Sequence, residues 1–306
     1  MKLLDWALLA TTLLLVPAFA GDTDAAKLAF TAAGAEFTFD TGALKGTLHG
    51  KERKQGPSLG LQPVVEASAG VNMAGPHGMF SLYRLLSADA RYGAAAWDWA
   101  SETKLLPDGA AEIRWSPDKD HPFEMTAVYR FSAPNTVDLQ VTVKPQQDLK
   151  RFELFLATYF AGFPATFAYV KDPDAGGKPG FLEVKKGAVV WHTFPRDEKT
   201  AEIFGDGRWK RPPNPVDWKM MPPLAAPMAL RRDAKSGLAA VFMAPADDCF
   251  AISMPYGEEP HRSVYMSLFG RDIKAGESAS ARARLVIGKD LSDEKAAELY
   301  KAYVGK

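Results

Sequence analysis

The chain has 306 residues, of which 47% are hydrophobic, so it is long enough for one large domain or two ordinary ones, and its composition excludes global disorder. Lysine plus arginine and aspartate plus glutamate number 37 each, which gives a formal net charge of zero. This balance argues against a nucleic-acid or anionic-membrane partner, because both require a basic excess. Cys249 is the only cysteine, so an intramolecular disulfide is excluded, and its apolar neighbours predict a buried structural thiol.

The first twenty residues have the build of a secretory signal peptide. Lys2 precedes an apolar run over residues 6–16, and an A-x-A sequence ends the segment at residues 18–20. The apolar run is too short for a comfortable membrane span. We therefore expect cleavage before Gly21 and a mature protein that is secreted or periplasmic, without a membrane partner once the signal peptide is removed.

Alternation of hydrophobic and polar residues with period two dominates the rest of the chain. Two hairpins are predicted, one from residues 123–131 and 135–143 around the turn SAPN, the other from residues 96–105 and 111–116 around PDGA. Further strands are predicted at residues 36–40, 80–86, 151–160, 188–192, 238–244, 250–254, 264–269 and 278–287. Only residues 291–306 have helical spacing, with Ser292 or Asp293 as the N-terminal cap.

These elements predict an all-β protein, built as a large antiparallel β-sandwich with a short C-terminal helix. No internal repeat or interdomain linker is evident, so we predict a signal peptide over residues 1–20, one domain over residues 21–290 and the helix over residues 291–306. The proline-rich stretch 211–227 is interpreted as a long functional loop, because the strands on both sides of it have the same pattern.

The sequence VYMSLFGRDIKAGESASARARLVI, residues 264–287, resembles the closing strands of galactose-mutarotase-like sugar proteins. In that superfamily a Leu-x-Pro-Gly-Glu turn leads into the last long strand of a β-supersandwich. Ile273, Gly276 and Glu277 match that turn, and Ala275 replaces its proline. The resemblance implies a divergent member with a β-supersandwich fold and a carbohydrate ligand. The family's catalytic Asn-His-Tyr-Phe stretch is absent, so aldose 1-epimerase activity is not transferred to this chain.

Histidines and carboxylates are the candidates for acid–base chemistry. His77 lies in a glycine-rich turn before a strand, and His261 lies in a loop that also contains Glu258 and Glu259. A mutarotase-type reaction requires such a pair, because a carboxylate takes the anomeric hydroxyl proton while a histidine protonates the ring oxygen. The alternatives are a turn histidine and a solvated surface loop. The predicted catalytic residues are His77, His192, His261, Asp206 and Glu258.

The segment FGDGRWKRPPNPVDW, residues 204–218, is the most unusual loop of the sequence. Its three prolines exclude a helix interior and a central strand, and they stiffen the loop. Aromatic faces stack against the C–H side of sugar rings, and arginines bind hydroxyls or carboxylates. A strand end with a core tryptophan and solvated charges is the alternative for residues 191–197. The predicted substrate-binding residues are Arg84, Trp191, Arg196, Arg208, Trp209, Trp218 and Arg262.

The reaction stays open between sugar epimerisation, elimination from a uronate and glycoside hydrolysis by two carboxylates. The alternative is a non-catalytic carbohydrate-binding protein, and a third class is an exported scaffold that uses the loop as an interface. No cofactor or metal is predicted. Residues 172–183 are spaced like an EF-hand calcium loop, but Gly176 occupies a ligand position and no helices flank the segment, which favours a plain hairpin loop.

Overall fold

A computed structural model describes residues 28–34, 36–50, 60–174 and 176–305. The predicted signal peptide, residues 1–20, lies outside the described residues. Within those ranges, no helix combines the length and apolar character needed to cross a membrane.

The chain is built mainly from β-strands. Their bounds are β1 Thr31–Ala33, β2 Glu36–Asp40, β3 Leu44–His49, β4 Gly60–Glu66, β5 Val71–Asn72, β6 Ser81–Leu86, β7 Glu102–Leu105, β8 Ala111–Trp115, β9 Phe123–Ala133, β10 Thr136–Pro145, β11 Leu149–Tyr159, β12 Ala165–Val170, β13 Gly180–Glu183, β14 Trp191–Pro195, β15 Lys219–Met220, β16 Leu224–Asp233, β17 Leu238–Met243, β18 Cys249–Pro255, β19 Ser263–Ile273 and β20 Ala279–Lys289. Two α-helices are described, α1 over Glu198–Gly205 and α2 over Asp293–Val304.

These strands form three sheets. A five-stranded sheet has the order β1-β2-β3-β4-β5, a nine-stranded sheet has the order β13-β12-β16-β17-β20-β10-β9-β8-β7, and a six-stranded sheet has the order β15-β14-β18-β19-β11-β6. All strand pairs are antiparallel except the short pair β14–β15. The prediction of a large antiparallel all-β fold is therefore confirmed.

The main core lies between the nine-stranded and six-stranded sheets. Leu139 and Leu285 come from the first sheet, Leu154 and Leu268 come from the second, and all four side chains are buried in one cluster. The Cys249 thiol is buried as predicted, and burial raises its pKa to about 12, which leaves it unreactive near neutral pH. The sandwich is stabilised by apolar burial without disulfides.

The outer face of each of the two large sheets is covered by a further segment of the chain. Helix α2 covers the nine-stranded sheet, where Ala296 is buried and Tyr300 and Tyr303 pack against the same apolar cluster. Ser292 accepts a hydrogen bond from the Lys295 amide at 3.2 Å, so the predicted C-terminal helix and its cap are confirmed. The outer face of the six-stranded sheet is covered instead by the loop 204–218.

Three local predictions were wrong. Strand β14 spans Trp191–Pro195 rather than residues 188–192, and residues 96–98 form a 3-10 turn rather than the start of a strand. The stretch 211–227 is not a loop throughout, because residues 219–220 form β15 and residues 224–227 belong to β16. Helix α1 was not predicted. It is stabilised by a capping box in which the side chains of Asp197 and Thr200 each accept from the other's backbone amide.

Candidate functional site

A pocket of about 250 Å³ opens on the outer face of the six-stranded sheet, beneath the loop 204–218. It is smaller than the roughly 300–1,000 Å³ typical of sites for drug-sized ligands, so it suits a small ligand. Strands β6, β11, β14 and β19, the loop and the turn before β19 all contribute side chains. The lining residues are Tyr83, Arg84, Phe155, Tyr159, Trp191, Trp209, Asn214, Pro215, Val216, Trp218, His261 and Tyr265.

Strand β11 provides the floor of the pocket. One of its faces packs in the main core, and the other faces the loop 204–218. Leu154 and Leu156 point into the main core, whereas Phe155 and Tyr159 point outward. Phe155 stacks on Tyr265 of β19 with ring centroids 4.6 Å apart. The alternation of side chains along two neighbouring strands therefore produces a flat aromatic surface under the loop.

A β-bulge in β6 places two consecutive side chains on the pocket. Arg84 pairs with Phe155 and Leu82 pairs with Leu156, so Tyr83 is an extra residue without a partner on β11. In a regular strand consecutive residues face opposite sides of the sheet, and a bulge re-aims them. Tyr83 and Arg84 both line the pocket as a result.

The loop 204–218 folds over the floor as a second aromatic layer. Residues Arg208–Lys210 form a 3-10 turn, and Trp209 is buried with its ring 4.6 Å from Phe155 and 5.2 Å from Trp218. The amide of Val216 donates to the carbonyl of Trp209 at 2.9 Å and closes the loop. The loop is thus an ordered wall of the pocket.

Arginines fasten this loop to the segment that follows β6. Arg84 donates from Nη1 to the Asn214 carbonyl at 3.1 Å, and Arg91 donates from Nη1 to the Arg211 carbonyl at 3.1 Å. Arg211 donates in the opposite direction, from Nη1 to the Ser87 carbonyl at 3.0 Å. Because these bonds run both ways between the two segments, the wall is held in a fixed position over the floor.

A buried ion network holds the base of the loop. Arg208 is fully buried, donates from Nη1 to Glu153 Oε2 at 3.1 Å, and donates from Nε and Nη2 to Asp206 at 3.0 and 2.9 Å. Glu153 is also fully buried and accepts from Ser267 Oγ at 2.8 Å. Burial raises the pKa of Glu153, and the charge of Arg208 opposes that rise. The network therefore depends on Arg208.

A histidine–glutamate pair lies at the edge of the pocket. The carboxylate of Glu259 accepts from Nδ1 of His261 at 2.8 Å and from the His261 backbone amide at 2.8 Å. Glu259 is nearly buried, whereas the His261 side chain is 51% exposed. Bonding at Nδ1 fixes the tautomer and leaves Nε2 as the nitrogen that can exchange a proton.

His77 also lies next to Tyr159, as His261 does. The Tyr159 ring is 4.9 Å from the ring of His77 and 6.5 Å from that of His261. Burial and the nearby charge of His261 lower the pKa of His77. Burial also raises the pKa of Tyr159 well above its usual value, so its phenol stays protonated near neutral pH. Two histidines and one phenol are therefore grouped at this end of the pocket.

The structure brings together five of the twelve predicted site residues in the pocket lining, with His77 beside them. The five are Arg84, Trp191, Trp209, Trp218 and His261. The other six lie outside the lining. His192 is buried on the opposite face of β14, and Glu258 is exposed. Asp206 and Arg208 bind each other, Arg196 pairs with Asp197, and Arg262 donates to the Ala161 carbonyl.

Sequence reasoning did not single out Phe155, Tyr159 and Tyr265 as lining residues. A signal was present, because Phe155 and Tyr159 have the same parity on one predicted strand, and Tyr265 lies on another. The sequence analysis also chose Glu258 rather than Glu259 as the catalytic carboxylate near His261. The structure corrects this choice, because Glu259 makes the contact with His261.

His192 points away from the pocket because it follows Trp191 on the same strand. Its Nδ1 is buried, and the imidazole has a backbone hydrogen bond with Val190. Burial lowers the pKa of His192, and the neighbouring charge of Lys219 lowers it further. The folded protein therefore favours the neutral imidazole at this position.

We expect His192→Gln to reduce the loss of stability on acidification. As the pH falls below the ordinary histidine pKa of about 6.5, the unfolded chain takes up the proton first, so the stabilising contribution of neutral His192 is present above that pH and is lost below it. Chemical denaturation from pH 7.5 to 5 measures the slope, which one histidine changes by at most about 1.4 kcal/mol per pH unit. Lys219→Gln should act in the same direction but more weakly, and an unchanged slope in both variants would contradict this account.

The segment 172–183, spaced like a calcium loop, connects β12 and β13 as an antiparallel hairpin. Asp172 Oδ1 accepts from the Gly177 amide at 3.1 Å, which is a turn contact. Among the residues that the structure describes, no group of three His, Cys, Asp or Glu side chains is arranged to hold a metal ion.

Comparisons with known proteins support the fold. No protein-family profile matches the sequence, and a comparison with curated proteins finds no match either. Among solved structures, a galactose mutarotase-like protein from Lactobacillus casei ATCC 334 aligns with a TM-score of 0.50 at 8% identity, over 83% of this chain and 100% of that chain. The architecture is therefore that of the galactose-mutarotase-like proteins, and the resemblance stated for residues 264–287 is confirmed at the level of the fold.

Two further solved structures are similar to this chain. A galactose mutarotase related enzyme from Lactobacillus acidophilus aligns with a TM-score of 0.49 at 9% identity, over 84% of this chain and 99% of that chain. A mutant of the heparan sulfate lyase HepC from Pedobacter heparinus aligns with a TM-score of 0.45 at 7% identity, over 86% of this chain and 37% of that chain.

Proposed function

We propose that this protein is a carbohydrate-active protein that binds a saccharide in the pocket under the loop 204–218 and transfers a proton on it through His261. The observation that carries the proposal is the location of the His261–Glu259 pair at the edge of an aromatic pocket. Export, predicted from residues 1–20, is part of the proposal, and N-terminal sequencing of the mature protein tests it.

The aromatic walls support a sugar ligand. Phe155 and Tyr265 offer flat surfaces on the floor, and Trp191 and Trp218 stand nearly perpendicular to each other with ring centroids 6.0 Å apart. A sugar ring has apolar C–H faces and polar edges, so it matches a cavity with aromatic surfaces and a few polar groups at its rim. Arg84, Asn214 and His261 provide polar groups of that kind.

The histidine pair supports proton transfer. Glu259 orients the imidazole of His261, as a carboxylate does for a general base. Tyr159 stays a protonated phenol within the same group of side chains and can donate a hydrogen bond to a ligand. The described lining contains no aspartate or glutamate, so hydrolysis by two facing carboxylates is less well supported than a proton transfer by His261.

The test is to incubate the purified protein with neutral and acidic mono- and oligosaccharides and to follow the mixture by ¹H NMR. Epimerisation gives new anomeric or ring signals, elimination gives an olefinic signal, and a ligand bound without turnover gives line broadening alone. Broadening without turnover would leave a non-catalytic binding protein, and no effect from any saccharide would contradict the proposal.

We expect Trp191→Ala to raise the Kd for a bound saccharide about tenfold, because the ring forms one wall of the pocket and aromatic stacking contributes about 0.5–1.5 kcal/mol beyond its buried area. Isothermal titration calorimetry gives the Kd directly. Trp99→Ala is the matched control, since Trp99 is also partly buried but packs on His121 and Phe123 away from this pocket. Equal effects of the two substitutions would place the sugar elsewhere.

A further inference from the structure

The charge of the pocket is unbalanced. Arg84 is only 5% exposed and lines the pocket, and its guanidinium donates to the Asn214 carbonyl and the Tyr83 hydroxyl, both of which are neutral. Within the described residues, no carboxylate lies within ion-pair distance of Arg84, and its Nε has no acceptor. A buried charge is costly unless an opposite charge or a full set of hydrogen bonds compensates it.

Other buried arginines of the chain are compensated. Arg208 binds two carboxylates. Arg231 has no carboxylate in contact, but its Nε, Nη1 and Nη2 each donate to a backbone carbonyl, at 2.9, 3.2 and 2.6 Å. Arg84 has no carboxylate partner and only one backbone carbonyl among its acceptors, and it is the one of these three that lines the pocket.

Further donors line the same pocket. The Arg84 guanidinium lies 5.4 Å from the ring of Trp209, and within the described part of the chain the indole N–H groups of the pocket residues Trp209 and Trp218 have no acceptor. Arg91, which donates to backbone carbonyls of the loop, adds a second positive charge, and burial together with the charge of Arg84 lowers the pKa of Arg91 to about 10. This side of the pocket is thus rich in hydrogen-bond donors and positive charge. A bound oxyanion would supply both the missing acceptors and the missing negative charge.

We propose that the saccharide bound in this pocket is anionic and that its oxyanion group, a carboxylate or a sulfate or phosphate ester, is bound by Arg84. This inference rests on the proposed function, because it names the class of sugar that the same pocket takes. A guanidinium held between Tyr83 and Trp209 presents its edge to a planar carboxylate, and charge-assisted bonds of this kind are stronger than neutral ones.

The experiment compares galacturonic acid with its methyl ester, which differ in one negative charge. Calorimetric titration of the wild-type protein should give at least about tenfold tighter binding of the acid, and the difference should shrink as salt is added. Galactose 6-sulfate and galactose 6-phosphate form two further arms, compared with galactose. The arm with the largest preference identifies the oxyanion, and equal affinity in all three comparisons would overturn the proposal.

Arg84→Gln should remove the preference for the anion, so that the acid and its methyl ester bind with equal affinity whatever the change in their common affinity. Arg84→Lys, which keeps the charge, should retain part of the preference, and Arg130→Gln, on the exposed face of β9, is the control. Thermal unfolding checks that each variant is folded. If Arg84→Gln does not fold, the salt dependence of anion binding by the wild-type protein remains as the test. Absence of binding by charged and neutral sugars alike would contradict the proposed function, whereas equal binding of both would contradict only the anionic ligand.

Discussion

Arg208→Met is expected to lower the free energy of unfolding by about 3–5 kcal/mol, because it leaves the fully buried Glu153 without its countercharge. Asp206, which is 9% exposed, loses the same partner. The adjacent Trp209 should also leave its place over Phe155, so the pocket is damaged together with the fold. Chemical denaturation followed by circular dichroism measures the loss of stability, and tryptophan fluorescence reports the displacement of Trp209.

Two controls separate charge pairing from loss of an arginine side chain. Arg130→Met removes an arginine whose partner, Asp108, is 55% exposed, and it should cost less than about 1 kcal/mol. The double variant Arg208→Met with Glu153→Leu removes both buried charges and should be more stable than Arg208→Met alone. If the double variant is no more stable than the single one, the network is not what holds the loop.

His261→Ala is expected to lower kcat/KM for the proposed sugar reaction by about 10²–10⁴-fold, the usual contribution of a general acid or base. Glu259→Gln should cause a smaller loss, because the amide oxygen can still accept from Nδ1 of His261 but the hydrogen bond that orients the imidazole is no longer charge-assisted. Initial rates of the wild type and of both variants measure these effects.

The neighbouring Glu258 provides the decisive comparison for this prediction. Glu258 is exposed, and the carboxylate bonded to His261 is that of Glu259, so Glu258→Gln should change the rate much less than Glu259→Gln. A larger effect of Glu258→Gln would return the catalytic role to the carboxylate chosen from the sequence. Unchanged activity in His261→Ala would remove the histidine from the reaction.

The strands were predictable from the sequence where alternation of apolar and polar residues alone determines their position. Strand β2 has the bounds expected from alternation, and β9 and β10 form the predicted hairpin, because burial of one face imposes period two. Helix α2 follows from its cap and spacing. Helix α1 was missed because it has only eight residues and its capping box uses threonine in place of the usual glutamate or glutamine.

The site was predictable only in part, because contacts between distant segments assemble it. The tryptophans and arginines of the loop 204–218 correctly indicated that this loop forms a wall of the pocket. Trp209 and Trp218 were predicted from the loop, and Trp191 was predicted from the strand before it. The Glu153–Arg208 pair joins residues 55 positions apart, and no local pattern indicates it. Strand alternation alone, however, indicates that Trp191 and His192 cannot both face one ligand, so that conflict was visible in the sequence.

The bulge in β6 makes the pocket depend on the number of residues in one strand as well as on their identity. Tyr83 is the extra residue, and the pairing of Leu82 and Arg84 with β11 spans it. Deleting a single residue here would restore regular alternation and turn one of the two side chains toward the core, while the apolar residues of the sandwich stay unchanged. A relative with the same architecture can therefore gain or lose this pair of pocket-lining side chains through a change of one residue in length, so percentage identity is a poor guide to whether they are shared.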